Sequence, residues 1–390
     1  MCPVRELAII GVGQTAYRRR HDCSTPELVS QAVTAALHDA GIPMQDVDIV
    51  TGGFAPDGLA GENCPDKRFL PAAGAVGRWS MRVNTGGTTG IAAAYAAMDL
   101  LAARYGDIAV AVGVERMAQA VNVPAVFNSI FDPVYERDTG LSTISMGALR
   151  AARMMMKWGY TPQVWAEVAA RNYAHATRNP LAQITRPYTA DEVLASRLLA
   201  WPIRQLDACP ISEGVCAVVL AGAEVAQRGR AVAWVRGRAS CTDTYNMGDR
   251  FDRADGDLVD LLSLHRATEK ALGQAGLPSA AEADVVEIHA PFTHAETMAY
   301  APLRFCAAED GADLVRAGFG RWDSRPVINP SGGPQAANPV GATALVRLAE
   351  CALQVRRAAG ERQVPDAALA VATGQGGASQ FSTCTVLTAA

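Results

Sequence analysis

The feature that most restricts the fold of this chain is that it carries one pattern twice. Ala36-Leu37-His38-Asp39-Ala40-Gly41-Ile42-Pro43 with Asp46-Val47-Asp48 matches Ala271-Leu272-Gly273-Gln274-Ala275-Gly276-Leu277-Pro278 with Asp284-Val285-Val286. Val83-Asn84-Thr85-Gly86-Gly87, ahead of an Ala-rich stretch, answers Ile328-Asn329-Pro330-Ser331-Gly332-Gly333 ahead of another. Ile108–Glu115 answers Ala368–Gly376, each an apolar strand pattern running into a Gly-containing turn. Gly41 lies 235 residues before Gly276 and Asn84 lies 245 before Asn329, a drift that ordinary loop insertion explains. Elements matched in one order imply two halves with one topology.

Each half is expected to cover one sheet face with its own helices and to pack face to face on the other. The division is residues 1–230, including an inserted cap at about 115–206, and residues 231–390. Equivalent loops approach each other across a pseudo-twofold axis, so the turns at 84–90 and 329–341 should line one cleft at strand C-termini, where open α/β sheets bind ligands. The local pattern agrees with an α/β class. Strands are expected at Leu7–Gly11, Val47–Gly52, Arg82–Asn84 and Ile108–Val112, and helices at Pro26–Ala40 and Gly90–Tyr105. The alternation lapses from Val114 to about Leu206, where helices at Ala148–Trp158 and Pro162–Arg178 form the cap.

Several functions are disfavoured by composition. Thirty-five Lys+Arg against 39 Asp+Glu give a net charge of −4, with no basic surplus for nucleic acid or an anionic membrane. Apolar runs such as Gly90–Met98 and Gly214–Ala223 fall well short of the roughly 20 residues of a membrane span. The charged start around Arg5 and Glu6 does not read as a signal peptide, so a cytoplasmic protein is expected. Nine scattered cysteines without a CxxC pair point to free thiols, with no metal and no disulfide.

In order, Ala8-Ile9-Ile10-Gly11-Val12-Gly13-Gln14-Thr15, Val112-Gly113-Val114-Glu115-Arg116-Met117, Ile144-Ser145-Met146-Gly147 and Ile211-Ser212-Glu213-Gly214 run through the first half. Val286-Glu287-Ile288-His289-Ala290-Pro291-Phe292, Asn329-Pro330-Ser331-Gly332-Gly333 and Pro339-Val340-Gly341-Ala342-Thr343 follow in the second. Taken together, the chain resembles the thiolase superfamily, in its sterol-carrier-protein-X and lipid-transfer-protein branch. The resemblance implies a five-layered α/β/α/β/α fold, a helical loop domain over the site, an acyl-CoA substrate and a dimer built on the sheet edge near Trp79–Asn84.

Against that family the reacting groups are missing. Where a thiolase presents Cys-Ala-Ser-Gly or Cys-Ser-Thr-Gly, this chain reads Gly87-Thr88-Thr89-Gly90. The family's Gly-His-Pro becomes Ala337-Asn338-Pro339, and its last Gly-rich turn with a second Cys becomes Thr373-Gly374-Gln375-Gly376-Gly377. Claisen cleavage needs a thiolate to hold the acyl group, so ordinary thiolase chemistry is disfavoured. Retro-aldol cleavage of a β-hydroxyacyl-CoA needs less: a base for the hydroxyl proton and donors for the thioester enolate. His289, titrating near neutrality, is the expected base or acid, and Asn338 the expected amide donor. Backbone donors are expected at Gly87, Thr88, Thr89, Gly376 and Gly377. Steroid side-chain aldolases of the same branch also lack the cysteine set, though they carry Tyr where His289 stands.

Each assignment has a plainer structural counterpart. His289 can be a histidine hydrogen-bonded under a loop, and Asn338 a turn former before Pro339. Thr88 and Thr89 read as N-caps of the following helix. His294 and Glu296 read as a solvated helix start. Met146, Arg150, Arg153 and Phe292 are candidate substrate or CoA contacts, the alternative for Arg150, Arg153 and Lys157 being a solvated helix face, and Met154-Met155-Met156 read as core packing or a face toward a bulky acyl group. Cys209, Cys216, Cys306 and Cys351 read as small core residues. Gly11-Val12-Gly13 lacks the third glycine of a dinucleotide fingerprint.

Three functions follow. The first is a C–C bond-making or bond-breaking enzyme of aldol type on an acyl-CoA, with coenzyme A part of the substrate and no separate cofactor. The second is a supporting subunit of a heteromeric thiolase or acyltransferase assembly. The third is an acyltransferase using Thr88 or Thr89 as nucleophile, for which no adjacent base is visible. Expected partners are a second copy or a thiolase paralogue, and a separate small OB-fold protein with a zinc ribbon.

Overall fold

The structure, a computed structural model, describes residues 5–227 and 231–390. The first half runs β1 (Leu7–Gln14), α1 (Thr25–Ala40), β2 (Ile49–Phe54), β3 (Trp79–Val83), α2 (Thr89–Ala102) and β4 (Ile108–Arg116). The cap follows, carrying α3 (Thr143–Trp158) and α4 (Pro162–Ala176), and the chain returns in β5 (Glu213–Gly222). The second half runs β6 (Ala233–Thr242), α5 (Leu262–Ala275), β7 (Val285–Glu287), α6 (Thr293–Met298), β8 (Val327–Ile328), α7 (Val340–Val355), β9 (Leu369–Gly376) and β10 (Phe381–Thr388).

The strands are hydrogen-bonded in the order β8-β7-β9-β10-β6-β1-β5-β4-β2-β3. Read outward from the centre, the two sides are equivalent: β1 answers β6, β5 answers β10, and β4, β2 and β3 answer β9, β7 and β8. The halves were expected to meet face to face; they are also joined edge to edge, through the antiparallel pairs Ala8↔Trp234 and Ile9↔Ala233.

Side-chain alternation assigns the layers. Leu7 and Ile9 of β1 point to the middle layer, where α2 and α7 pack together, whereas Ala8 and Ile10 face α1. A register shift between Ile9 and Gly11 reverses this parity, which is why Val12 rejoins the middle layer. The outer face of the second half is covered by α5 and the cap helices. The result is a five-layered α/β/α/β/α arrangement.

The repeated glycines have physical roles here. Gly41 ends α1 at φ 58° and Gly276 ends α5 at φ 69°, the left-handed cap that favours glycine. A Cβ on Gly11 would lie 2.3 Å from the Ala36 carbonyl oxygen, and one on Gly13 2.0 Å from that of Ala32. The GxG pair therefore lets α1 lie directly on β1.

Boundaries moved at several elements. The strand expected at Arg82–Asn84 lies at Trp79–Val83, and α3 starts five residues before the expected Ala148, at Thr143, where Ser142 caps it. Trp79 and Met81 stand exposed on β3, at one end of the sheet. No helix among the described residues is long and apolar enough to cross a membrane.

Candidate active site

Two Gly-rich turns, one from each half, stack backbone on backbone. A Cβ on Gly376 would lie 2.5 Å from the Thr85 carbonyl oxygen, and one on Gly86 3.0 Å from the Gly377 nitrogen. Gly87 is the most confined: its Cβ would stand 2.3 Å from the Gln375 carbonyl oxygen and 3.2 Å from Cε1 of His289. The place of the family's nucleophile is thus occupied by the β9 backbone. The expected approach of the two loops is present as well, since a Cβ on Gly90 would meet the Gly341 carbonyl oxygen at 2.9 Å.

The threonines beside Gly87 are turned inward. The Thr88 hydroxyl donates to the Thr85 carbonyl at 2.8 Å and to the Thr85 hydroxyl at 2.9 Å. Thr89 Oγ1 accepts from the Thr85 amide at 2.9 Å. Thr88 occupies the N-cap position of α2 without a side-chain cap bond, so the capping role expected for these residues is not made.

His289 follows β7 and is buried. Its amide donates to Thr373 Oγ1 at 3.0 Å, and its Nδ1 accepts the Gln375 N–H at 3.1 Å. Nδ1 is therefore the lone-pair nitrogen, and the neutral ring carries its proton on Nε2. Burial, reinforced by the Arg347 guanidinium, pulls the imidazole down to about 3. This differs from the near-neutral titration expected of it: the ring is a neutral donor across the physiological range, and its neighbour Nδ1 is spoken for.

Asn338 is held at three points. Its N–H donates to Ser212 Oγ at 3.0 Å, its Oδ1 accepts from Thr343 Oγ1 at 2.8 Å, and its Nδ2 donates to Cys209 Sγ at 2.9 Å. The Thr343 bond fixes the flip of the amide, leaving the NH2 group toward Cys209. The segment just after His289 is stitched to the same neighbourhood. Cys209 N–H donates to the Pro291 carbonyl at 2.9 Å, and Gln335 Nε2 to that of Ala290 at 2.9 Å. Under the loop, Glu115 accepts the Gly341 N–H at 2.9 Å at the start of α7; burial, with Glu213 nearby, pushes its carboxyl up to about 8.

Cys209 lies at this candidate site, beside Asn338, where sequence reasoning did not place it. It was expected in the core with Cys216 and Cys351, which are there. Cys209 instead sits half-buried in the loop before β5, and burial pushes its thiol up to about 11, so it stays protonated. The following Pro210 was the available signal, because it marks a loop rather than a strand interior.

The remaining candidates separate. Met146 is buried on α3, and Phe292 stacks on His294 with centroids 5.5 Å apart. Arg153 is ion-paired to Asp257 at 2.9 Å and to Asp252, on a charge-balanced groove of about 480 Å³ on the outer face of the cap. Arg150, one turn earlier, is buried and faces inward. His294 and Glu296, expected in solvent, are buried too: Glu296 accepts from Arg171, from Asn172 at 3.0 Å, from Asn329 at 3.1 Å and from Tyr300 at 2.8 Å.

Comparison with known proteins agrees with this architecture. The thiolase N-terminal domain profile matches residues 7–224, and a thiolase C-terminal domain-like profile matches residues 250–389. An acetyl-CoA acetyltransferase of Methanothermobacter thermautotrophicus is 30% identical over 377 residues, covering 96% of this chain and 97% of that protein. Sterol carrier protein 2 of Gallus gallus is 30% identical over 395 residues, covering 96% of this chain and 70% of that protein. Among solved structures, an Ltp2-ChsH2(DUF35) aldolase superposes with TM-score 0.83 at 22% identity, covering 100% of this chain and 99% of that one. With both halves, the site loops and full-length relatives in agreement, the chain belongs to the thiolase superfamily, among its sterol-carrier and lipid-transfer relatives.

Proposed function

We propose that this protein binds an acyl-CoA and breaks or makes a C–C bond by aldol-type chemistry, on a β-hydroxyacyl-CoA, without a covalent intermediate. One observation carries the reading: at the nucleophile's place the backbone of Gln375 leaves no room for a side chain on Gly87, while beside it His289 offers a neutral Nε2–H. A site that has closed on the thiol and kept a donor is built for an oxyanion rather than for an acyl-enzyme.

In the cleavage direction the β-hydroxyl gives its proton to water, the Cα–Cβ bond breaks, its electron pair passes onto Cα and the thioester oxygen, and water returns one proton to Cα. The products are a carbonyl compound and, after Cα is protonated, a shortened acyl-CoA. His289 Nε2–H and the Asn338 amide are assigned to the developing oxyanion. His289 thus acts as an electrophile and not, as its family position first suggested, as the base. A neutral imidazole suits this role, because a donor of high pKa stabilises an enolate without giving up its proton to solvent first. Cys209, held as a thiol, is a weak nucleophile and is not assigned the acyl-transfer role.

A second reading is a subunit that works within a larger assembly. It is favoured by the absence of a reactive thiol at the site and by the name of the structural relative, which pairs Ltp2 with a DUF35 component. In the same vein, the exposed edge of β3 is the surface proposed for pairing with a second copy or a paralogue.

Incubation of the protein with a panel of β-hydroxyacyl-CoAs, with release of shortened acyl-CoA and carbonyl product followed by mass spectrometry, tests the first reading. Cleavage lost in His289→Ala and reduced in Asn338→Ala is expected. Turnover unchanged in both variants rejects the assigned residues, and activity that appears only with a co-purified partner favours the second reading.

A further inference from the structure

Where the turn after β9 meets the cap, two arginines are buried without a carboxylate. Arg150 of α3 donates to Ser379 Oγ at 2.9 Å and to the Ala378 carbonyl at 2.6 Å. Arg250 donates to the same Ala378 carbonyl at 2.8 Å and to that of Thr244 at 2.6 Å. Among the described residues neither guanidinium has a carboxylate oxygen within salt-bridge distance; Asp243, whose field reaches both, is held by Arg253 at 2.7 and 3.3 Å, and Glu136 and Asp249 act on Arg250 from beyond that distance. Arginine is almost never buried unless paired. Burial, with Arg250 close by, pulls Arg150 down to about 9, and the Asp243 field offsets only part of this.

The same residues carry unpartnered donors. Arg150 Nε and Arg250 Nε have no partner, nor has Gln375 Nε2, and all three residues are at least nine-tenths buried. The Gln375 head group lies next to Arg150, since its Oε1 accepts at 3.4 Å from the Ser379 hydroxyl that Arg150 holds. His294 Nδ1 is also buried and unpartnered, and Cε1 of that ring is 3.2 Å from the place of a Cβ on Gly147, one turn before Arg150. The cluster borders an apolar wall that includes Met146 and Met247, against which Ala378 packs. Buried donors left unpaired cost stability, and a cluster whose two cations meet only neutral carbonyl and hydroxyl acceptors fits an anionic ligand.

We infer that the acyl chain taken by this protein carries a carboxylate, received by Arg150 and Arg250 with Gln375 and His294 beside them, while its methylenes lie on the Met146 side. The inference rests on the acyl-CoA reading above and narrows it to thioesters of dicarboxylic acids. Gly147 lets the His294 and Phe292 rings lie against α3, 3.2 and 3.5 Å from the place of its Cβ.

Calorimetric binding to the intact protein tests it, pairing glutaryl-, adipoyl- and suberoyl-CoA with pentanoyl-, hexanoyl- and octanoyl-CoA. At least one carboxylated member should bind about tenfold or more tightly than its neutral partner, the scale of a charge-assisted pair. That preference should vanish in Arg150→Met and weaken in Gln375→Leu, which leaves both arginines on the turn and serves if the first variant does not fold. A parallel arm compares CoA with dephospho-CoA, and the contribution of the 3′-phosphate should be the same in wild type and both variants. Equal affinity within every pair overturns the inference while leaving the acyl-CoA reading in place. A 3′-phosphate contribution lost in Arg150→Met also overturns it, by giving the arginines to the CoA phosphate. Failure of every thioester to bind removes both readings.

Discussion

The Gln375 amide donates to Nδ1 of His289 across 3.1 Å, and this one bond decides which nitrogen of the ring is left for a ligand. It couples the last strand of the sheet to the loop after β7, so the donor is positioned by backbone that the fold itself fixes. The same residue's carbonyl fills the space above Gly87. One stretch of β9 thus both closes the space at Gly87 and holds the His289 ring.

Because burial holds His289 at about 3, its ring stays neutral from pH 5 to 8, and the rate component that depends on Nε2–H should be flat over that range. The pH profile of kcat/KM for C–C cleavage checks this. A fall on acidification through about 6.5 that disappears in His289→Gln would show the ring titrating as an ordinary base.

Restoring the sulfur should fail. Gly87→Cys places Cβ against the Gln375 carbonyl at 2.3 Å, backbone that cannot rotate away. We expect a loss of about 1–3 kcal/mol by overpacking, seen as a lower melting temperature, and no thiolase activity. A Gly87→Cys protein of unchanged stability that forms an acyl-enzyme adduct would show that the loop opens freely.

Acid should destabilise the fold from about pH 6.5 downward, through the buried histidines. His289 and His294 are lowered to about 3 and His175 to about 4, each mainly by burial. A histidine lowered on folding is kept neutral in the native state, so the unfolded chain binds more protons between the two pKa values and stability drops as pH falls below about 6.5. Glu115, raised to about 8, acts in the opposite sense, its contribution shrinking as pH rises from about 4.5 to 8. Melting temperatures from pH 7.5 to 4.5 should decline, with a shallower slope in His294→Leu; a flat profile contradicts the assignment.

The buried ion pair should matter far more than surface ones. Arg171→Met leaves Glu296 uncompensated among Asn172, Asn329 and Tyr300 and is expected to cost about 3–5 kcal/mol in chemical denaturation. Arg316→Ala breaks an exposed pair with Asp313 and should leave the midpoint unchanged within error.

What the sequence disclosed was governed by backbone requirements. Gly41 and Gly276 are needed for left-handed helix ends, and the matched strands β4 and β9 for buried apolar runs, so the repeat and the layered class were readable before any coordinates. What it hid depends on three-dimensional neighbours. Glu296 looks like a solvated residue until Arg171 arrives from α4, and Arg150 looks like an exposed cation until the turn after β9 closes over it. Cys209 has an apolar environment in sequence, yet its partner Asn338 comes from the other half. The tautomer of His289 is set by an amide 86 positions away, which no local pattern encodes.

The central claim is tested most directly by a crystal structure of the protein with an unreactive acyl-CoA analogue in which an ester oxygen replaces the thioester sulfur. The account predicts the analogue's carbonyl oxygen about 2.7–3.1 Å from His289 Nε2, within reach of the Asn338 amide and beside Gly87. A carbonyl bound away from His289, or placed for attack by the Cys209 thiol, would contradict it.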